Sequence, residues 1–217
     1  MRAVRAVVSI SLGLSLGLLA AAPAAAQDPP AVSIRPFAMV TEQSFAAITT
    51  FDAAFGQTVL PFFGGGLQVV VHDGFFAELS ASRFQKTGTR AYISGGKAFS
   101  LNIPLTATIT PLEISGGYRF RLRQLPRVRP YAAVGVGSYA YEESSSFDQA
   151  GDGLSTRHLG YLLNGGAEFR LHDWVGLGVD VQYSHIPGIL GNGGVSQQAG
   201  EQDLGGIAAR FKLVIGR

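Results

Sequence analysis

The stretch from Gly160 to His185, GYLLNGGAEFRLHDWVGLGVDVQYSH, alternates with a period of two on both sides of a short His172-Asp173 link. In the first arm Tyr161, Leu163, Gly165, Ala167, Phe169 and Leu171 oppose Leu162, Asn164, Gly166, Glu168 and Arg170. In the second, Val175, Leu177, Val179, Val181 and Tyr183 oppose Gly176, Gly178, Asp180, Gln182 and Ser184. Successive side chains of a strand point to opposite faces, so this is a hairpin with one apolar and one polar face. Each arm holds about ten residues, the length a tilted strand needs to cross a bilayer. The rest of the chain decides whether the apolar face meets protein or lipid.

Residues 1–26 read as a cleavable signal peptide. Arg2 and Arg5 form a positive start, Ala6 to Leu19 an apolar centre, and Ala24-Ala25-Ala26 a small-residue cleavage site before Gln27. The remaining 27–217 suit a single domain. Export implies an oxidising compartment, yet the chain has no cysteine, so neither disulfides nor a lipid-modified cysteine are available. Lys and Arg number 17 against 15 Asp and Glu; without Arg2 and Arg5 the balance is even. A neutral mature chain disfavours nucleic acid as a partner.

Alternation recurs along the chain. Further runs are Val32–Val40, Gly65–Val71, Phe75–Ser82, Thr106–Leu122, Tyr131–Tyr141 and Leu204–Ile215, which with the hairpin make eight strands. The second and third, fourth and fifth, and sixth and seventh runs are joined by short links, the first two of them His72-Asp73-Gly74 and Gln124–Pro130. The others are joined by long ones: Glu42–Gly64, Gln85–Leu105, Glu142–Arg157 and Ile186–Asp203. In an up-and-down meander all short links then fall at one end, the asymmetry of barrels with short periplasmic turns and long external loops. Within Gln85–Leu105, Thr89–Ile93 and Lys97–Leu101 flank Gly95-Gly96, and both strands are expected to continue outward and close in a glycine turn. The fold expected is an all-β, eight-stranded antiparallel up-and-down transmembrane β-barrel.

In this register the interior carries Arg35, Arg119, Arg121, Arg170, Arg210 and Lys212 together with Glu78, Glu113, Glu168 and Asp180; Gln68, Asn164 and Gln182 add neutral partners. An eight-stranded barrel is only wide enough inside for side chains, and an unpaired buried charge costs several kcal/mol. The ten charges are therefore expected to pair into a structural network that plugs the lumen; a gated pore or proton path is the functional alternative.

The signal peptide, the eight alternating strands, the alternation of short and long links and the glycine-rich last strand resemble small bacterial outer-membrane barrels of the OmpA-transmembrane-domain and OmpW kind, porin-family-type barrels. The resemblance spans the mature chain and rests on architecture. It implies residence in the outer membrane, contact with outer-membrane lipids and lipopolysaccharide, insertion by the barrel-assembly machinery, a monomer, and no cofactor. Such proteins often end in an aromatic residue, whereas this chain ends Ile215-Gly216-Arg217, read as a variant assembly signal.

Particular residues bear on other functions. Lipid A deacylase barrels carry a His followed two residues on by a Ser; here His185 is followed by Pro187, and Ser184 points to the opposite face, so no catalytic residue is assigned. His72-Asp73 and His172-Asp173 are metal-ligand types but sit on separate turns, and no metal site is assigned. Phe75, Phe76, Tyr118, Phe120, Phe169, Trp174 and Phe211 are expected to form an interfacial aromatic girdle near the short-link end. A soluble lipocalin-like barrel would turn the apolar face inward. A binding role for the long loops names no ligand; Phe45, Phe51, Phe55, Phe62-Phe63 and Tyr92 are their few anchors.

Overall fold

The computed structural model describes residues 32–71, 74–94, 97–145 and 154–216. The residues expected to form the signal peptide, His72-Asp73 and the expected turn at Gly95-Gly96 lie outside the described residues. These residues form β1 (Val32–Phe45), α1 (Ile48–Phe55), β2 (Val59–Val71), β3 (Phe75–Ser94), β4 (Lys97–Arg119), β5 (Val128–Ser144), β6 (Leu154–His172), β7 (Val175–His185), α2 (Gly194–Ala199) and β8 (Gly206–Ile215). Each strand pairs antiparallel with the next, and β8 returns to β1, closing the ring. Closure removes the unpaired sheet edges that a membrane would not tolerate.

Alternation sets which face is buried. Along β7, Gly176, Gly178, Asp180, Gln182 and Ser184 are buried, and Leu177, Val181 and Tyr183 are exposed. Every strand supplies a large exposed apolar residue to one belt: Ile34, Leu67, Leu79, Ile114, Val134, Leu163, Val181 and Leu213 are all between 46% and 66% exposed. A continuous apolar belt far exceeds the few hundred Å² a soluble monomer normally leaves open. The soluble, lipocalin-like arrangement is thus inverted: charges line the inside and hydrocarbon the outside. At the short-link end Phe75 packs edge-on against Tyr118 (5.0 Å) and Tyr118 against Phe120 (5.1 Å), with Phe169 and Trp174 also exposed. Two expected girdle members sit elsewhere. Phe76 has the opposite parity and points inward onto Tyr131 at 5.8 Å, and Phe211 pairs with Val179, inside the belt.

Strands outrun their expected limits at the long-link end. β3 and β4 form 20- and 23-residue strands, paired out to Ser94 and Lys97, so Thr89–Ile93 and Lys97–Leu101 do continue the ladder. The ladder shifts between Thr89 and Ala91 opposite Asn102, whose φ of 55° marks a bulge that bends the hairpin. β2 begins at Val59 instead of Gly65 because Gly64, Gly65 and Gly66 conceal the alternation while serving close strand approach. A Cβ on Gly66 would lie 2.0 Å from the Leu79 carbonyl oxygen, and one on Gly64 2.2 Å from that of Ala81.

The Glu42–Gly64 and Ile186–Asp203 links are not open loops. α1 and the β7–β8 link fold over the barrel mouth and build an apolar cap from Phe45, Phe51, Leu60, Phe62, Phe84, Ile109, Ile186, Ile189, Leu190 and Leu204. The Phe45 and Phe51 rings stack at 3.8 Å. Of the expected loop anchors, Phe45, Phe51 and Phe62 belong to this cap and Phe55 packs against it, while Phe63 and Tyr92 are exposed.

Candidate functional site

The lumen below the cap holds one connected chain of charged and polar side chains, each set inward by strand parity. Arg119 on β4 and Arg35 on β1 grip opposite oxygens of Glu168 on β6, at 2.8 and 2.5 Å. Arg35 donates to Gln68 Oε1 (3.2 Å), and Gln68 donates to Glu78 Oε2 (3.1 Å). Lys212 then bridges Glu78 (2.6 Å) and Asp180 (3.3 Å), with its ammonium 5.1 Å from the Phe37 ring centre. Arg210 donates through Nε to Asp180 Oδ1 and through Nη1 to Gln182 Oε1, both at 2.5 Å. Gln182 and Tyr139 converge on Glu113 Oε1 at 3.0 and 2.7 Å, and the Tyr131 hydroxyl donates to Asp180.

Among the described residues the network contains four cations, Arg35, Arg119, Arg210 and Lys212, and four carboxylates, Glu78, Glu113, Glu168 and Asp180. No side chain in their ion pairs is more than 12% exposed. Charges of both signs in equal number are what so dry an interior needs, since removing one partner strands the other.

The structure brings together eight of the ten charges expected inside. Arg121 lies two residues past the end of β4, and Arg170 sits where the β6–β7 ladder shifts toward its turn; both are exposed at the short-link rim. Alternation cannot say where the ladder, and with it the lumen, ends.

Between network and cap is a cavity of about 30 Å³, lined by Glu113, Arg210, Gln182 and Tyr139 on one side and Phe45, Phe62, Ile109 and Leu204 on the other. That is room for about two waters.

Two carboxylates of the β7–β8 link hold the cap. The helix α1 has no side-chain cap of its own. Glu201 supplies one, accepting from Thr49 N, Thr50 N and Thr50 Oγ1 at 2.8, 2.8 and 2.7 Å. Burial raises the affinity of Glu201 for a proton, but these hydrogen bonds outweigh it and hold the carboxyl below the ordinary glutamate value. Asp203 accepts from His185 Nδ1 (2.6 Å), Ile186 N (2.7 Å) and Gly205 N (2.8 Å), pinning both ends of the link. His185 therefore faces a carboxylate and rests on the Tyr161 ring at 5.1 Å, while Ser184 is buried on the opposite face of β7. Among the described residues no nucleophile is hydrogen-bonded to His185. The role of Glu201 is not legible in the sequence, because its partners Thr49 and Thr50 are 152 and 151 residues away.

A closed eight-stranded ring with an apolar exterior and an ion-paired interior defines a transmembrane β-barrel of the outer-membrane type. The model of the outer membrane protein beta-barrel domain matches residues 11–203, and the chain belongs to that family. No curated protein matches it. Among solved structures, it is similar to a major outer membrane protein from Thermus thermophilus, with 14% identity over 85% of this chain and 99% of that one and a TM-score of 0.50. It is also similar to the N-terminal beta-barrel domain of Pseudomonas aeruginosa OprF, at 12% identity, 85% and 97% coverage and a TM-score of 0.48. At such identities the likeness concerns the fold alone.

Proposed function

We propose that this protein is a closed, non-enzymatic barrel of the bacterial outer membrane, exported by its signal peptide, inserted by the barrel-assembly machinery and acting as a monomeric scaffold for its external surface. The observation that carries this reading is the filling of the lumen, by a balanced charge network through the belt and by an apolar cap above it. A pore needs a continuous aqueous path, and here ion pairs occupy the lower lumen and phenylalanine rings the upper. A lipid-modifying enzyme needs an activated nucleophile, and the one late-strand histidine is engaged with Asp203. Outer-membrane lipids meet the apolar belt, and lipopolysaccharide surrounds the long strands β3 and β4.

Proteoliposomes containing the purified protein test the reading. The expected result is retention of small neutral sugars, with no swelling above empty vesicles. Swelling that scales inversely with sugar size would replace the closed scaffold with a diffusion pore.

A further inference from the structure

The chain contains two Asn-Gly pairs, Asn164-Gly165 and Asn192-Gly193. In this dipeptide the glycine amide, unshielded by a side chain, is able to attack the preceding carboxamide and close a five-membered ring. The fold decides whether the two groups meet, and it treats the pairs in opposite ways. Asn164 is buried in the lumen wall, and Gly165 is fixed in the ladder between Ala132 and Val181. With its amide turned to satisfy its neighbours, Asn164 donates to Gln182 Oε1 at 3.0 Å and accepts from Arg210 Nη2 at 3.1 Å. Both reacting groups are held in place there, and a new carboxylate would upset the balance of luminal charges. Asn192 lies in the β7–β8 link and is exposed. Among the described residues no hydrogen bond engages its carboxamide or the Gly193 amide. Nothing stands within 4 Å of where a Cβ on Gly193 or Gly194 would be, so the ring has room to close.

We propose that Asn192 is a self-modification site, converted by water to aspartate and isoaspartate through a succinimide shared with Gly193. The Gly193 nitrogen gives its proton to solvent and bonds to Asn192 Cγ; the Cγ–Nδ2 bond breaks and ammonia leaves. Water then opens the ring. Attack at Cγ yields aspartate, and attack at the main-chain carbonyl carbon yields isoaspartate, in which the backbone runs through the side chain. The net change is carboxamide plus water to carboxylic acid plus ammonia, with no oxidant or cofactor. Either product places a negative charge on the link, and isoaspartate also adds one methylene to its backbone. That methylene falls inside a bonded turn. Ser196 Oγ ties the two residues flanking Asn192, accepting from Gly191 N at 3.0 Å and donating to Gly193 O at 2.9 Å. A longer backbone between them breaks the tie. Ser196 belongs to α2, whose Gln198 accepts from the Ile93 amide of the β3–β4 hairpin at 2.7 Å. The modification therefore frees the projecting hairpin from the cap. The inference rests neither on the closed lumen nor on the lipid-facing belt.

The test ages the full mature protein, folded in detergent micelles, in mildly alkaline buffer beside a sample held in urea. Trypsin separates the two sites into peptides 158–170 and 171–210. Mass spectrometry with electron-transfer fragmentation reads the gain of one mass unit and tells isoaspartate from aspartate. In the folded protein Asn192 is expected to convert at least about tenfold faster than Asn164, because a core ladder opens rarely. In urea the two rates should converge. Position 193 has an extended backbone, φ −178°, that any residue adopts; Gly193→Val should slow the reaction about tenfold by crowding the amide nitrogen with a stiff branched side chain. Asn192→Gln should stop it. Aged protein should show faster hydrogen exchange at the Gly191 and Ile93 amides in proportion to its isoaspartate. Fresh Asn192→Asp, which has the charge without the longer backbone, should keep both protected. Equal rates at the two sites in the folded protein, an unchanged rate in Gly193→Val, or unchanged exchange after conversion would each overturn the proposal.

Discussion

Asp180 on β7 and Arg210 on β8 are directly opposed in the ladder, and their side chains join in the lumen at 2.5 Å, with Asp180 also reached by Lys212 at 3.3 Å. One carboxylate thus holds two cations at the centre of the barrel. Asp180→Asn keeps the shape and removes the charge. We expect it to destabilise the folded barrel by about 3–5 kcal/mol, the cost of stranding a buried charge. Urea unfolding in detergent, followed by the heat-modifiable gel shift, reads this out. Pairing Asp180→Asn with Arg210→Met should cost less than the sum of the two single changes, because the stranded cation is removed as well.

The faces of the wall can be tested independently of the network. Ile114 is 56% exposed in the lipid belt, and Ile114→Arg should cost about 2–4 kcal/mol, the midplane penalty for a charge facing lipid. Gly178, the neighbour of outward-facing Val179, points into the lumen, and a Cβ there would meet Lys212 Cβ at 3.3 Å. Gly178→Ala should therefore be limited by space alone, costing less than Val179→Arg. Equal effects at 178 and 179 would mean that the wall is read inside out.

Period-two patterning carries the eight strands, their inward and outward faces and eight of the ten luminal charges, because parity within a strand is a local property. It does not carry where ladders end, so it puts Arg121 and Arg170 inside when they stand at the rim. The cap is hidden for a different reason. Ile48, Thr49 and Thr50 are poor openers for a helix, and α1 forms because Phe51 packs into the barrel mouth and Glu201, far along the chain, satisfies its first amides. Tertiary contacts of that range leave no periodic trace.

Acid should loosen the cap. The folded-state proton affinity of Glu201 is depressed, so its contribution is present above the unfolded glutamate value, about pH 4.3, and is lost as pH falls through the lower folded value. Hydrogen exchange at the Thr49 and Thr50 amides should be protected at neutral pH and quicken in that acid window. Glu201→Gln should show the quickened exchange already at pH 7. Protection of both amides that is unchanged in Glu201→Gln would remove Glu201 from this role.

His185 should carry no chemistry. His185→Ala should leave lipid A and phospholipids as intact as the wild type does, by mass spectrometry of extracted lipid. It should cost no more than about 1 kcal/mol of stability, the scale of one partly exposed hydrogen bond. Acyl release by the wild type that disappears in His185→Ala would make the barrel an enzyme.

The central claim is that the lumen is closed by two layers, the ion pairs around Asp180 and the cap around Phe51. Single-channel recording in planar bilayers tests it most directly. The wild type should insert without any steady conductance, and Phe51→Ser/Glu113→Gln/Asp180→Asn, which opens both layers, should conduct if it still folds by gel shift. A large, well-defined conductance of the wild type at neutral pH would contradict the closed barrel.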